Sequence, residues 1–195
     1  MAESEYWDDQ AAAFDAEPDH GLRDPSVRAA WAELLRLRLP PAPAAVIDLG
    51  CGTGSLSVLL AEAGYDVRGL DFSARMVAAA EEKARAAGVT ARFSEGDAAA
   101  PPYADGSADV VLSRHVLWAL PDPDDALRRW VRLLAPGGRL VLVEGRWSTG
   151  AGIPADTCRD LVLRHRREAV LERLDDPALW GRAIDDERYV VVSER

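Results

Sequence analysis

The stretch AAVIDLGCGTGSLSVLLAEAGYDVRGLD, residues 44–71, decides the fold. Ala45-Val46-Ile47 has the length and branching of a buried strand and ends on Asp48. Gly50, Gly52 and Gly54 follow at alternate positions, and a helical pattern begins at Ser55. A second apolar run, Val67 to Leu70, ends on another acid, Asp71. Strand, glycine loop, helix, strand and acid together predict half of a doubly wound nucleotide-binding sheet. Glycines admit backbone angles that a side chain forbids and let a ligand approach the chain closely. The acid after the second strand suits the hydroxyls of a ribose, so the stretch predicts a ligand that carries an adenosine.

Outward from this stretch, the same grammar repeats. Ser73 N-caps a helix expected to run from Ala74 to Ala87 and close at Gly88. Strands are expected over residues 90–94, 108–112 and 139–144, with a helix over 124–134 and a sharp stop at Ala135-Pro136-Gly137-Gly138. Residues 155–168 read as helical, with His165 on a solvated, Arg-rich face. The runs 169–174 and 188–192 read as an antiparallel hairpin. On the N-terminal side, Asp24-Pro25 starts a helix with a buried stripe of Trp31, Leu34, Leu35 and Leu39. Before it, residues 4–16 form an amphipathic segment bearing Tyr6 and Trp7, which has to lie on something. The expected architecture is α/β: a doubly wound, Rossmann-like, seven-stranded, mostly parallel sheet with helices on both faces and an antiparallel C-terminal edge strand. Residues 1–40 read as a helical lid or cap and 41–195 as the core of one domain.

Composition narrows the function classes. With 195 residues and nearly half of them apolar, the chain can bury a sizeable core, yet no apolar run approaches a membrane span. The acidic start lacks a secretory pattern, and two cysteines, one inside the glycine loop, suit a reducing cytoplasmic setting. A net charge of −10 argues against nucleic acid as partner. No Cys/His spacing predicts a metal site. The sequence marks no oligomer interface.

The loop spacing is G-x-G-x-G, not the G-x-G-x-x-G of dinucleotide binding, and no G-x-x-x-x-G-K-[ST] occurs. Taken with the other strand ends, the chain resembles the class I S-adenosylmethionine-dependent methyltransferases of the small-molecule type. Val46 to Gly54 resembles the family's first motif, and Leu70-Asp71-Phe72-Ser73 with Met76 its second. Gly96-Asp97-Ala98, Asp109-Val110-Val111 and Leu134 to Leu140 resemble the later ones, so the likeness covers residues 44–145.

The resemblance implies S-adenosylmethionine as cofactor, with the backbone at Gly50, Cys51, Gly52 and Gly54 cradling its methionine part and Asp48 holding its amino end. Asp71 would take the ribose, Phe72 and Met76 would flank the adenine, and Asp97 and Ala98 would meet its edge. Arg114 is counted with these residues; a structural salt bridge or contact with an acidic acceptor is its other reading. A methyl transfer aligns nucleophile, methyl and sulfur in line, and only a hydroxyl or phenol acceptor needs a base. His115, just after the fourth strand, is the candidate base, with packing against the cofactor as its other reading. Tyr6, Trp7, His20, Trp118, Arg146 and Trp147 are the candidate walls for a small-molecule acceptor. No Asn/Asp-Pro-Pro-Tyr/Phe follows strand four, which disfavours base or amide N-methylation. Two alternatives stay open from sequence: a nicotinamide-dependent oxidoreductase, and a regulatory protein that binds S-adenosylmethionine without turnover.

Overall fold

The computed structural model describes residues 3–194. Seven strands lie in one sheet: β1 (Ala45–Leu49), β2 (Asp66–Asp71), β3 (Ala91–Glu95), β4 (Ala108–Arg114), β5 (Leu134–Arg146), β6 (Val170–Arg173) and β7 (Glu187–Ser193). Their order is β3-β2-β1-β4-β5-β7-β6. The first five are parallel, with Val46 beside both Val67 and Val110, and Val111 beside Leu140. β7 runs antiparallel between β5 and β6. This is the architecture the sequence predicts. The order reverses between β1 and β4, which is where such sheets open a crevice at their carboxyl ends.

Eight α-helices are described: α1 (Glu3–Phe14), α2 (Pro18–Gly21), α3 (Pro25–Arg38), α4 (Ser55–Glu62), α5 (Ala74–Ala87), α6 (Pro123–Leu133), α7 (Ala155–Leu163) and α8 (Pro177–Trp180). Alternation along the strands divides the core into two layers. Val46, Val67, Val110 and Val141 face Trp31, Leu34 and Leu35 of α3 and Leu56 and Leu60 of α4. Ile47, Leu49, Val111 and Leu140 face Leu127 and Trp130 of α6 and Val162 of α7. α3 thus belongs to a helix layer on the sheet, while α1 and α2 lie over the carboxyl ends of the strands. Each buried indole finds an acceptor: Trp31 donates to the Leu179 carbonyl at 2.7 Å and Trp130 to that of Ala98 at 2.7 Å.

The helix starts follow their caps. The Asp24 carboxylate accepts from Ser26 N at 2.7 Å, and the Ser73 hydroxyl from Met76 N at 3.1 Å. Three expectations need correction. The Pro136-Gly137-Gly138 segment does not stop the chain ahead of a separate strand. Leu134 pairs with Ala108 and Arg139 with Val110, so the segment is a bulge inside β5. The helix expected over 155–168 ends at Leu163, where Arg164, His165 and Arg166 turn back on residues 161 and 162. His165 is not solvated there: it lies against Asp124, Nε2 to Oδ1 3.2 Å, and Arg166 donates to the Gly138 carbonyl at 2.9 Å. Among the described residues, no helix is long and apolar enough to cross a membrane.

Candidate functional site

At the switch point the glycine loop folds onto the end of β2. The Leu70 carbonyl accepts from Gly50 N at 2.8 Å and Cys51 N at 3.0 Å, and Gly52 N donates to Asp71 Oδ2 at 2.8 Å. Gly50 has φ +71°, and a Cβ there would lie 2.2 Å from Val116 Cγ2. Only glycine fits. Burial, reinforced by Asp48 and Asp71, pushes the Cys51 thiol well above its usual range, so it is no nucleophile.

Three carboxylates line the crevice at these strand ends. Asp48 is buried, its Oδ2 accepts from the Ser57 hydroxyl at 2.6 Å, and burial pushes it up to about 6 against the pull of that bond and of Arg114. Asp71 is also buried and raised by burial, although Ser73 N, at 3.0 Å, and Gly52 N favour its charge. Asp97 is exposed and accepts from Ala99 N at 2.7 Å, while the neighbouring Ala98 is anchored by Trp130. Phe72, half in solvent, and the buried Met76 complete this wall.

The N-terminal helices form the roof, held by polar ties. Asp8 Oδ1 accepts from the Ser73 hydroxyl and from Arg75 N at 3.2 Å. Asp15 accepts from the Thr53 hydroxyl and pairs with Lys83 Nζ at 2.8 Å. Phe14 stacks on His20 with centroids 4.3 Å apart, and its ring edge would be 3.2 Å from a Cβ at Gly52. Arg114 Nη1 donates to the Asp19 carbonyl, and its guanidinium lies over Trp31 at 5.1 Å.

Between roof and sheet lies a cavity of about 920 Å³, in the range of small-molecule sites. Its far end is built around His115, a non-glycine residue at φ +60°, a conformation that costs about 1–2 kcal/mol. Glu144 holds that turn by accepting from Val116 N at 3.1 Å and Leu117 N at 2.8 Å. The His115 ring stands edge-on to Trp147 at 5.2 Å, and its Nε2 is buried with no hydrogen-bond partner. Burial first, then Arg114, Arg188 and His20, hold it well below the usual imidazole range, so it is neutral. Trp118 donates to the His115 carbonyl at 3.0 Å, and the Arg188 guanidinium lies 4.9 Å from the Trp147 ring centre.

The cavity brings together Trp7, His20, Asp48, Gly50, Cys51, Gly52, Asp71, Phe72, Met76, Asp97, Ala98, Arg114, His115, Trp118 and Trp147. Gly54, Tyr6 and Arg146 lie outside its lining. Gly54 caps α4 at φ +74° against Ala80, Tyr6 is half exposed beside Trp7, and Arg146 points to solvent while its backbone bridges Gly152. Sequence reasoning missed Phe14, Glu17, Asp19, Arg182, Asp186 and Arg188 as lining residues. Phe14 carried a signal, since an aromatic on an otherwise acidic helix needs a surface to cover. Arg188 carried none, because it enters the crevice only through the pairing of β7 with β5.

Compared with known proteins, residues 47–142 match a family model described as a methyltransferase domain. A demethylmenaquinone methyltransferase of Thermus thermophilus is 44% identical over 110 residues, 55% of this chain and 50% of that one. A 27-O-demethylrifamycin SV methyltransferase of Amycolatopsis mediterranei is 34% identical over 185 residues, 86% of this chain and 65% of that one. The chain therefore spans between half and about two thirds of the length of these relatives. Among solved structures, the [4+2]-cyclase SpnF superposes with a TM-score of 0.74 at 22% identity, over 85% of this chain and 80% of that one, a likeness of fold.

Proposed function

Because the chain belongs to the class I S-adenosylmethionine-dependent methyltransferases, we propose that it transfers a methyl group from S-adenosylmethionine to a small-molecule acceptor in the cytoplasm. The observation that carries this reading is the donor set of the crevice. The N–H groups of Gly50, Cys51 and Gly52 are already spent inside the fold, and Asp48, Asp71 and Asp97 line the crevice. Such a wall repels a pyrophosphate and suits a ligand with an ammonium group, ribose hydroxyls and an amino-purine edge. The glycine cradle that a Cβ would fill at Gly50 fits the same ligand.

When bound, S-adenosylmethionine supplies a methyl group on an already activated sulfonium leaving group. The protein's residues align and shield. Asp48 and the loop carbonyls hold the amino end, Asp71 the ribose, Asp97 and Ala98 the adenine edge, and Phe72 and Met76 its faces. Trp7 and Phe14 close the roof and keep water out. Of the N-terminal segment, α1 and α2 act as the cap, while α3 belongs to the core. Trp118 and Trp147, tilted 56° to each other, and Arg188 make an aromatic, cation-edged wall at the far end, which favours an oxygen-bearing ring system as acceptor. The names of the two relatives, which refer to demethylmenaquinone and a demethylrifamycin, support an acceptor of that kind. His115 lines the same end of the cavity, and its neutral imidazole would serve as base to an acceptor hydroxyl or pack against the cofactor. The net charge of −10 speaks against nucleic acid there.

Calorimetry with S-adenosylhomocysteine and with NAD tests the cofactor, and labelled methyl transfer into a panel of hydroxylated ring compounds tests turnover. Saturable NAD binding without a response to S-adenosylhomocysteine overturns the reading in favour of an oxidoreductase. Tight S-adenosylhomocysteine binding without transfer to any acceptor leaves a regulatory binder.

A further inference from the structure

The strained turn at His115 carries an imidazole whose buried Nε2 has no hydrogen-bond partner. One ligand atom each from Asp19, His20 and His115 lies within 4.8 Å of the other two. Asp19 and His20 sit side by side on α2, Nε2 to Oδ2 3.6 Å, and the His20 ring stacks on Phe14 with centroids 4.3 Å apart. We propose that Asp19, His20 and His115 bind one divalent first-row transition-metal ion that faces the acceptor end of the cavity.

Two imidazoles and one carboxylate form a donor set for zinc, cobalt, nickel or iron, not for magnesium or calcium, which take oxygen ligands. Three protein ligands leave coordination positions open, and the cavity lies on that side. Bonds of about 2.0–2.2 Å require the three groups to close in by a fraction of their present spacing. Two of the groups belong to the four-residue helix α2 and one to the turn after β4, so closing in takes a shift of α2 toward the sheet. Arg114 and Arg188 lie near, but each is already engaged: Arg114 with the Asp19 carbonyl, Arg188 with Asp186 at 2.9 Å. The ion joins roof to sheet and offers an acceptor hydroxyl a Lewis acid. His115 would then be its ligand and not the base, and the ion would lower the pKa of the acceptor hydroxyl so that its proton is lost to solvent before the roof closes. The inference rests on the methyl-transfer reading for the use of the ion, not for its binding.

The test is a titration of the tag-free, chelator-treated full chain with Co²⁺ alone, read by visible d–d absorption and by calorimetry. One equivalent is expected to bind, with absorption of a low-symmetry nitrogen–oxygen site. His20→Ala and Asp19→Asn, both partly buried on the short helix α2, are expected to weaken it by about 100-fold or more, as is His115→Ala. His165→Ala, at the separate Asp124 contact, should leave it unchanged. Absence of stoichiometric binding, or binding that survives both His20→Ala and Asp19→Asn, overturns the proposal. S-adenosylhomocysteine affinity is measured separately. Its presence without Co²⁺ binding removes only the metal site; Co²⁺ binding without it removes only the cofactor reading.

Discussion

The carboxylate of Asp71 accepts the backbone N–H of Gly52 at 2.8 Å, so the acid that ends β2 also sets the shape of the glycine loop. Its other oxygen accepts from Ser73 N at 3.0 Å, at the cap of α5. Asp71→Ala should therefore weaken S-adenosylhomocysteine binding by about 1–3 kcal/mol, the scale for losing hydrogen bonds to a charged group. Asp71→Asn should recover the fold but not the full affinity, since its amide nitrogen faces a donor on one side. Calorimetry on both variants checks this, and an unchanged affinity takes Asp71 out of the ligand site.

Asp48 gives the site a pH dependence. Burial lifts its pKa from 3.8 to about 6, so the folded protein holds a proton there more readily than the unfolded chain. Its contribution to stability is thus fully present below about 4 and lost as pH rises to about 6. Ligand binding runs the other way, because an ammonium group needs the ionised carboxylate. S-adenosylhomocysteine affinity should be level above about pH 6 and fall by up to about tenfold per unit below it. Titrations between pH 5 and 7 should show that slope in the wild type and a flat profile in Asp48→Asn.

The sheet was legible because each of its strands carries a local signature. Asp48, Asp71 and Asp97 end β1, β2 and the β3 turn, and Ser73, Asp24 and Gly88 mark helix ends by their own chemistry. Where the outcome depends on a distant partner, the sequence was silent. Pro136-Gly137-Gly138 looks like a stop until Ala108 and Val110 supply the pairing that makes it a bulge. Gly54 reads like the other loop glycines, and only the position of α5 separates it from them. His115 could be placed after β4, but its left-handed backbone depends on Glu144, a strand away, accepting from the next two N–H groups.

Gly54 makes that distinction testable. A Cβ there would lie 2.7 Å from the Ala80 Cβ and 3.1 Å from its Cα, at φ +74°. Gly88 has a similar φ, +67°, but nothing within 4 Å. Gly88→Ala should cost only the backbone strain, about 1–2 kcal/mol. Gly54→Ala adds overpacking of α4 on α5 and should cost about 2–4 kcal/mol in total. Thermal melts of the two variants compare them, and equal losses would show that packing against Ala80 is not what requires the glycine.

Lys83 is the chain's one lysine, and its ammonium spends three donors on three partners: Asp15 Oδ2 at 2.8 Å, Thr53 Oγ1 at 2.9 Å and Ser55 Oγ at 2.6 Å. One side chain thereby joins the roof, the glycine loop and the start of α4. Burial pulls its pKa down and Asp15 pulls it back up, so the ion pair and the tie depend on each other. Arginine cannot replace this arrangement, because a planar fork does not reach three partners set around a point. Lys83→Ala should lower stability by about 1–3 kcal/mol and raise amide exchange over residues 3–21, with weaker S-adenosylhomocysteine binding as the roof loosens. Lys83→Arg should restore charge but only part of the protection. Hydrogen exchange followed peptide by peptide reads both effects. Protection over residues 3–21 that is unchanged in Lys83→Ala would mean that Asp8 and Phe14 hold the roof without the Lys83 tie.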